Sequence, residues 1–307
     1  MPSPRPSRAA IAAALVATYI FWGSTFLGIR YALDSLPPFL MAGTRFLVAA
    51  LVLLLFAWWR KVPRASRRGW AAAAGTGIVM LVTGNGAVVW AEQTVPIGLV
   101  ALTVSTSPIL MVVGDRIFFG NRVTWPAALG IGIGLAGIAV LVNPSTSLVP
   151  LLPTAVLLLS NLGWAAGAIL SRSRAMPESA TVGNGAQMLG AGAAFVAIAL
   201  AAGEIGRFQP HRVTALSLAG LAWLIVFGSL IAFSCYLWLI RVAPMPLVAT
   251  QSYVSPVVAV VLGAVFRQEQ LTVRELVAGA IIISGVALVA SAPWLTSRRS
   301  ENELAAA

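Results

Sequence analysis

Charged side chains are scarce in this chain of 307 residues. They make up 9% of it, whereas hydrophobic residues make up 59%. An ordinary soluble domain carries about 25% charged residues, so the composition excludes that class. The mean hydropathy of +0.91 agrees with a protein that lies within a membrane.

Cysteine and histidine are almost absent. Cys235 is the one cysteine and His211 the one histidine, so the chain can form neither an internal disulfide nor a metal site with several Cys or His ligands. We therefore predict no metal and no cofactor. Gly132, Gly134 and Gly137 fit the GxGxxG spacing, but they lie within an apolar run that no strand precedes, which argues against a nucleotide site.

Carboxylates are missing from the middle of every predicted span. Glu92 and Asp115 lie at span ends, so a proton antiporter built on a buried glutamate is disfavoured. Our preferred hypothesis is a facilitator that follows the gradient of its substrate, while coupling through Glu92 stays open. The sequence also lacks GxSxG, HExxH and an intramembrane Asp pair, and we predict that the protein is not an enzyme.

Apolar runs follow one another along almost the whole chain. Each is about 20 residues long, enough to cross the hydrocarbon core as a helix. The sequence thus predicts an all-α integral membrane protein with ten transmembrane helices. The predicted spans are 9–31, 38–59, 70–91, 97–118, 123–142, 149–171, 182–202, 214–239, 245–266 and 272–294.

The net charge of +11 would suggest a nucleic-acid partner in a soluble protein. Here the basic residues are dispersed between the spans, and we expect no nucleic-acid partner. Fourteen of the 20 Lys and Arg residues fall on the side of the N-terminus and five on the opposite side, with Arg45 inside the second span. The positive-inside rule then predicts that both termini lie in the cytoplasm.

The chain contains an internal repeat. Residues 98–144 align without a gap on residues 246–292, at an offset of 148. Because each half has an odd number of spans, the two halves insert upside down relative to one another, a recurring transporter design with its substrate site where the copies meet. We predict a first repeat over residues 1–146, a second, inverted repeat over residues 147–295, and a cytoplasmic tail over residues 296–307.

Five short motifs are typical of one transporter superfamily. They are Phe21-Trp22-Gly23-Ser24-Thr25-Phe26, Pro37-Pro38, Arg45-Phe46, the Pro96 to Leu102 segment before Ser107-Pro108, and Tyr253-Val254-Ser255-Pro256. Through them nearly the whole chain resembles the drug/metabolite transporter superfamily, in its EamA-type branch of ten-helix metabolite exporters, which includes bacterial amino-acid exporters. The resemblance implies ten helices around a central cavity, lined by the first, third and fourth helices of each half. It also implies export, and it implies that the protein is a multi-pass protein of a bacterial inner membrane.

Polar residues stand beside a proline at matching positions of the two halves. A proline within a helix leaves the carbonyl four residues earlier without its donor, and such a group is tolerated in a membrane where a cavity or a neighbouring helix satisfies it. We predict that these residues line the cavity and that the prolines are hinges, although hydroxyls also bond their own backbone. They are Thr103, Ser107 and Pro108 in the fourth span, and Gln251, Ser255 and Pro256 in the ninth.

Aromatic and amide side chains complete the predicted substrate site. Trp22 and Trp164 pair at an offset of 142 and lie well inside their spans, where a flat substrate could stack on them. Tyr253 and the amides of Asn85 and Asn161 are further candidates. The alternative for each is packing against, or bonding to, a neighbouring helix.

Arg45 is the one basic residue well inside a span, where an arginine costs about 3 kcal/mol on insertion scales. One interpretation is that it reaches outward to the headgroups or pairs with Asp34. The other is a gate or an attraction point for a substrate carboxylate.

The shortage of cationic side chains also narrows the substrate, because a phosphorylated metabolite requires several Lys or Arg in the cavity. We predict export of small neutral or zwitterionic metabolites, in particular amino acids with large apolar or aromatic side chains, by alternating access. The alternative is an exporter of amphipathic drugs or lipids. The expected partners are the small-molecule substrate and membrane lipid, and the expected assembly is a monomer or weak dimer.

Overall fold

The computed structural model describes residues 6–91, 107–142, 151–173, 175–267 and 272–305, and within these ranges the chain is helical, with no strand. We label the main helices α1 to α10. Their bounds are α1 Arg8–Leu33, α2 Pro38–Trp59, α3 Arg67–Ala91, α4 Ser107–Phe119, α5 Trp125–Val142, α6 Leu151–Leu170, α7 Ala180–Ala201, α8 Ala215–Val242, α9 Gln251–Arg267 and α10 Val273–Ala305.

Helix starts coincide with hydroxyl side chains that cap the first backbone N–H groups. Ser7 accepts from Ala10 at the start of α1, and Ser66 accepts from Gly69 at the start of α3. Ser179 and Thr214 cap α7 and α8 in the same way. The residues between the apolar runs therefore decide where these helices begin.

Five of the described helices are long and apolar enough to cross a membrane: α1, α2, α3, α7 and α8. Shorter apolar segments lie in α5, α6 and α10, over Trp125–Val140, Ala155–Leu170 and Leu276–Val289. This composition fits a multi-pass membrane protein. α10 continues to Ala305, through most of the predicted tail.

Two helices contain a long segment of wider, π-helical turns, a form that is usually confined to single turns and is frequent at functional sites. In α3 it covers Ile78–Gly86, and in α8 it covers Leu224–Phe233. Each segment carries a glycine against which a side chain from elsewhere packs: Trp164 on Gly84 and Arg45 on Gly228. Both segments border the cavity described below.

The helices of the first half (α1 to α5) pack mainly on those of the second half (α6 to α10), and the contacts are reciprocal. α2 packs on α7 and α5 packs on α10. α1 packs on α8 and α9, while α6 packs on α3 and α4. Exchanging the two halves reproduces this list of neighbours.

Glycines allow the closest of these approaches. A Cβ placed on Gly130 in α5 would lie 2.7 Å from the carbonyl oxygen of Gly285 in α10, and one on Gly167 in α6 would lie 2.3 Å from Cβ of Met80. Gly130 with Gly134, and Gly163 with Gly167, have the GxxxG spacing that allows close helix packing in membranes.

An acidic side chain from the second half caps α2. Gly203 adopts φ +69° after α7 and turns the chain, which brings Glu204 to the start of α2. There its carboxylate accepts from the backbone N–H groups of Phe39 and Leu40, at 3.3 and 2.8 Å. A carboxylate at a helix N-terminus is favourable, and Pro37 offers no side-chain cap of its own.

Candidate substrate site

A cavity of about 130 Å³ lies at the seam between the two halves. A single water requires roughly 10–15 Å³ on this kind of measure, so the cavity has room for the side chain of a metabolite. Its lining comes from α1, α2, α3, α4, α6, α8 and α9, the helices that the resemblance implies together with α2. The polar and charged lining residues are Thr25, Arg45, Asn85, Ser107, Ser160, Asn161, Gln251, Ser252 and Ser255.

Three aromatic rings from three helices form an aromatic cluster, of which Trp22 and Trp164 line the cavity whereas Tyr236 is buried behind them. The ring centroids of Trp22 and Trp164 are 5.5 Å apart, and the ring of Tyr236 is 4.9 Å from the first and 5.6 Å from the second. Trp22 Nε1 donates to the carbonyl of Gly228 at 3.2 Å, and Trp164 Nε1 donates to the hydroxyl of Tyr236 at 3.1 Å. Both indole N–H groups are therefore satisfied within the protein, which leaves ring surface for the cavity.

A chain of polar side chains joins α4 to α9. The Ser107 and Ser252 hydroxyls lie 3.1 Å apart in a hydrogen bond, and Gln251 Nε2 donates to Ser252 Oγ at 2.8 Å. Two further polar atoms at the cavity have no hydrogen-bond partner among the described residues: Oδ1 of Asn85 and Oγ of Ser255. Such buried groups are costly unless they are satisfied, so they are available to a ligand.

Arg45 contributes the one cationic side chain of the described lining. Arg45 is only 4% exposed, and its Nε donates to Ser229 Oγ at 2.8 Å. The guanidinium carbon lies 4.9 Å from the centroid of the Phe46 ring. The first interpretation given above is therefore wrong: the side chain neither reaches outward nor pairs with Asp34, because it turns into the helix bundle toward α8.

The structure brings most of the predicted site residues to one place. Trp22, Arg45, Asn85, Ser107, Asn161, Trp164, Gln251, Ser255 and Pro256 all line the cavity. Thr103 lies outside the described residues. Pro108 is buried in α4, one residue after Ser107.

Tyr253 lies outside the described lining, contrary to the sequence prediction. Its ring packs against Gly134 of α5, where a Cβ would stand 3.0 Å from Cδ2 of the ring. Tyr253 is two residues from both Gln251 and Ser255, and two residues turn a helix by about 200°. Its side chain therefore faces the opposite side of α9, among the apolar residues between α5 and α10.

Sequence reasoning missed several residues of the site. Ser252, the partner of Ser107, was hidden because the repeat aligns it with Val104, which has no polar group. Ser160 stands beside Asn161, and this adjacency was the available signal. Phe46 and Phe233 also line the cavity. Phe46 belongs to one of the motifs quoted above, and that was its available signal, whereas nothing distinguishes Phe233 in sequence from ordinary apolar residues of a span.

Comparison with known proteins places the chain in a family. The profile of the EamA-like transporter family matches it twice, over residues 9–143 and 152–291. The chain belongs to the EamA-like transporter family. Members of this family, within the drug/metabolite transporter superfamily, are transporters and not enzymes, so this EamA protein is a membrane transporter of small molecules.

Relatives of this EamA transporter include the inner membrane transporter YedA of Escherichia coli (strain K12), which is 36% identical over 287 residues, covering 92% of this chain and 91% of YedA. A probable terminal-alkyne amino-acid exporter of Streptantibioticus cattleyicolor is 30% identical over 128 residues, 42% of this chain and 43% of the exporter. A solved crystal structure shares the fold, with a TM-score of 0.77 at 21% identity, over 96% of this chain and 100% of that one.

Proposed function

We propose that this EamA transporter exports small neutral or zwitterionic metabolites, in particular amino acids with large apolar or aromatic side chains. The observation that carries the proposal is the composition of the cavity wall. Aromatic rings form one part of it and hydroxyl and amide groups another, and the described lining contains no Asp or Glu. A site of this kind accepts an apolar side chain together with a polar backbone.

The relatives support the same substrate class. The S. cattleyicolor protein is named as a probable amino-acid exporter, and its similarity extends over less than half of this chain. YedA is named as an inner membrane transporter. We extend both to this protein and place it in a bacterial inner membrane, with both chain ends in the cytoplasm as the distribution of basic residues predicts.

Alternating access is the mechanism that we propose. The reciprocal packing of the two halves and the double match of the family profile support two five-helix repeats that insert in opposite orientations. Rocking one repeat against the other around a central site opens that site to each side in turn. Pro108 and Pro256 stand at matching positions of α4 and α9 and are the proposed bending points.

Facilitated diffusion is the mode of transport that we infer. The described cavity lining has no carboxylate, and Asp115 is engaged in an ion pair with Arg172. We therefore expect that a pH gradient alone drives no uphill accumulation of substrate in sealed vesicles. Such accumulation would instead point to a titratable residue elsewhere in the chain, with Glu92 the first to replace.

Transport by the purified protein tests the proposed substrate class. Proteoliposomes are loaded with unlabelled tryptophan, phenylalanine or leucine, and exchange against the labelled amino acid is followed. Trp164→Ala is expected to lower the exchange of tryptophan about tenfold, because a stacking surface is lost. The control is Trp125→Ala, which removes a tryptophan that is 73% exposed at the start of α5 and should leave exchange unchanged.

Two outcomes contradict the proposal. One is the absence of exchange for every amino acid in wild-type vesicles that are shown to be sealed. The other is efficient release of an amphipathic dye or lipid without any amino-acid exchange, which would favour the second substrate class that the same fold could serve.

A further inference from the structure

The guanidinium of Arg45 is buried, and the part of the chain that the structure describes offers it no acidic partner. It is 4% exposed, and the one ion pair among the described residues joins Arg172 to Asp115. Apart from the hydrogen bond to Ser229 and the contact with the Phe46 ring, the described residues offer it no polar partner. A buried cation is costly unless it is paired, and an ionisable residue inside a membrane protein is by default a candidate for function.

The hydrogen bond from Arg45 to Ser229 decides which N–H groups of the guanidinium remain for a ligand. A guanidinium has five N–H groups in a rigid plane. The Nε–H donates to Ser229 Oγ, which holds the plane in place and leaves the edge formed by the two Nη groups. That edge matches the two oxygens of a carboxylate, which it binds through two parallel charge-assisted hydrogen bonds.

Gly228 connects this edge to the aromatic cluster. A Cβ on Gly228 would lie 2.8 Å from Nη2 of Arg45 and 2.8 Å from Cγ2 of Thr25, so the missing side chain makes room for the guanidinium. The carbonyl of the same residue accepts from Trp22 Nε1. Arg45 and Trp22 therefore meet at one residue of the π-helical segment in α8.

We propose that Arg45 binds the carboxylate of the transported molecule, with the side chain of that molecule placed against Trp22 and Trp164, which line the cavity. This inference rests on the function proposed above and narrows its substrate class. A free carboxylate becomes a requirement, so an amino acid is transported whereas its amide or its decarboxylated amine is not. Oδ1 of Asn85 and Oγ of Ser255 have no partner among the described residues and are the acceptors that we assign to the ammonium group.

The experiment compares acids with their neutral and decarboxylated analogues. Exchange of labelled tryptophan, phenylalanine and leucine is measured in proteoliposomes in competition with the unlabelled acid, with its primary amide and with its amine. In the wild type the acid should compete, whereas the amide and the amine should each require about tenfold to a hundredfold higher concentrations, because a hydrogen-bonded charge pair is lost.

The Arg45 variants give the second measurement. Arg45→Met should raise KM for the acid by about tenfold to a hundredfold and abolish the preference for acid over amide. Arg45→Lys keeps a point charge without the planar fork, so it should retain part of the preference. The control is Arg30→Met, which removes an exposed arginine from the last turn of α1 and should leave the preference intact.

The possible results separate this inference from the proposed function. Equal competition by acid and amide in the wild type overturns the carboxylate site, and it needs no variant to fold. An unchanged KM for the acid in Arg45→Met also overturns it. A folded Arg45→Met variant in which the binding of the acid and of the amide is weakened by the same factor overturns it too, because that result indicates a structural or gating role. No exchange of any amino acid by the wild type refutes the proposed function itself.

Discussion

The indole nitrogen of Trp22 in α1 donates a 3.2 Å hydrogen bond to the carbonyl of Gly228 in the π-helical segment of α8. The counterpart in the other half of the molecule is Trp164 of α6, which packs against Gly84 in the π-helical segment of α3. Each half thus supplies one tryptophan to a wide helical segment of the other. The two contacts position Trp22 and Trp164, which form part of one wall of the cavity.

A substitution at Gly84 tests how closely Trp164 packs against α3. A Cβ on Gly84 would lie 2.8 Å from Cε3 of Trp164, so Gly84→Ala must displace the indole. We expect a loss of about 1–3 kcal/mol in stability, measured by unfolding in detergent, together with reduced exchange. Gly75→Ala in the same helix is the matched control, because its Cβ would meet nothing within 4 Å. Equal effects of the two substitutions would contradict the assignment of Gly84.

A substitution at Pro256 tests the proposed hinge in α9. This proline lies inside the helix and cannot donate to the carbonyl of Ser252. Pro256→Ala restores that donor, so we expect slower exchange with unchanged equilibrium binding of the substrate. The comparison is Pro126→Ala in the first turn of α5, where a proline disturbs a helix little. If turnover in Pro256→Ala equals that of the wild type, this position is not a hinge.

The ion pair between Asp115 and Arg172 joins the second half of α4 to a residue two positions after the end of α6. Asn121 also donates to the same carboxylate at 2.9 Å, and the guanidinium of Arg172 lies over the ring of Phe119. We expect a double-mutant cycle of Asp115→Asn and Arg172→Gln to give a coupling energy of about 1 kcal/mol in thermal unfolding. Strictly additive losses would show that the pair contributes nothing.

A substitution at Glu204 tests the helix cap that the second half of the chain provides for α2. Glu204→Gln keeps the shape of the side chain and removes its charge at the helix N-terminus, so we expect a loss of about 1–2 kcal/mol in a thermal unfolding experiment. Glu178→Gln, at an exposed position, is the control. The cap would be refuted by equal midpoints for the two variants.

The membrane class and most helix bounds could be predicted from the sequence. The predicted span 38–59 is the helix Pro38–Trp59, and the span 9–31 lies within Arg8–Leu33. Length, hydropathy and hydroxyl caps act within one segment, so they can be recognised without knowing its neighbours. The repeat alignment added a comparison between the two halves, because it showed which residues occupy matching positions. It identified four residues that the structure brings to one cavity: Trp22, Trp164, Ser107 and Ser255.

Side-chain partners could not be predicted in the same way. The partner of Arg45 is Ser229, 184 positions away, and the partner of Ser107 is Ser252, 145 positions away. Both contacts cross between the two halves. A membrane helix is apolar around most of its circumference, so its sequence leaves open which face meets which neighbour, and packing decides it. Tyr253 was misplaced for the same reason.

The sequence by itself determined that this protein is a helical membrane protein with few charged side chains, because those properties follow from hydropathy and composition. Only the tertiary structure decided that Arg45 turns into the cavity rather than outward, and that the cavity wall is aromatic on one part and polar on another. That arrangement depends on the rotation of each helix about its axis, which contacts between distant segments set.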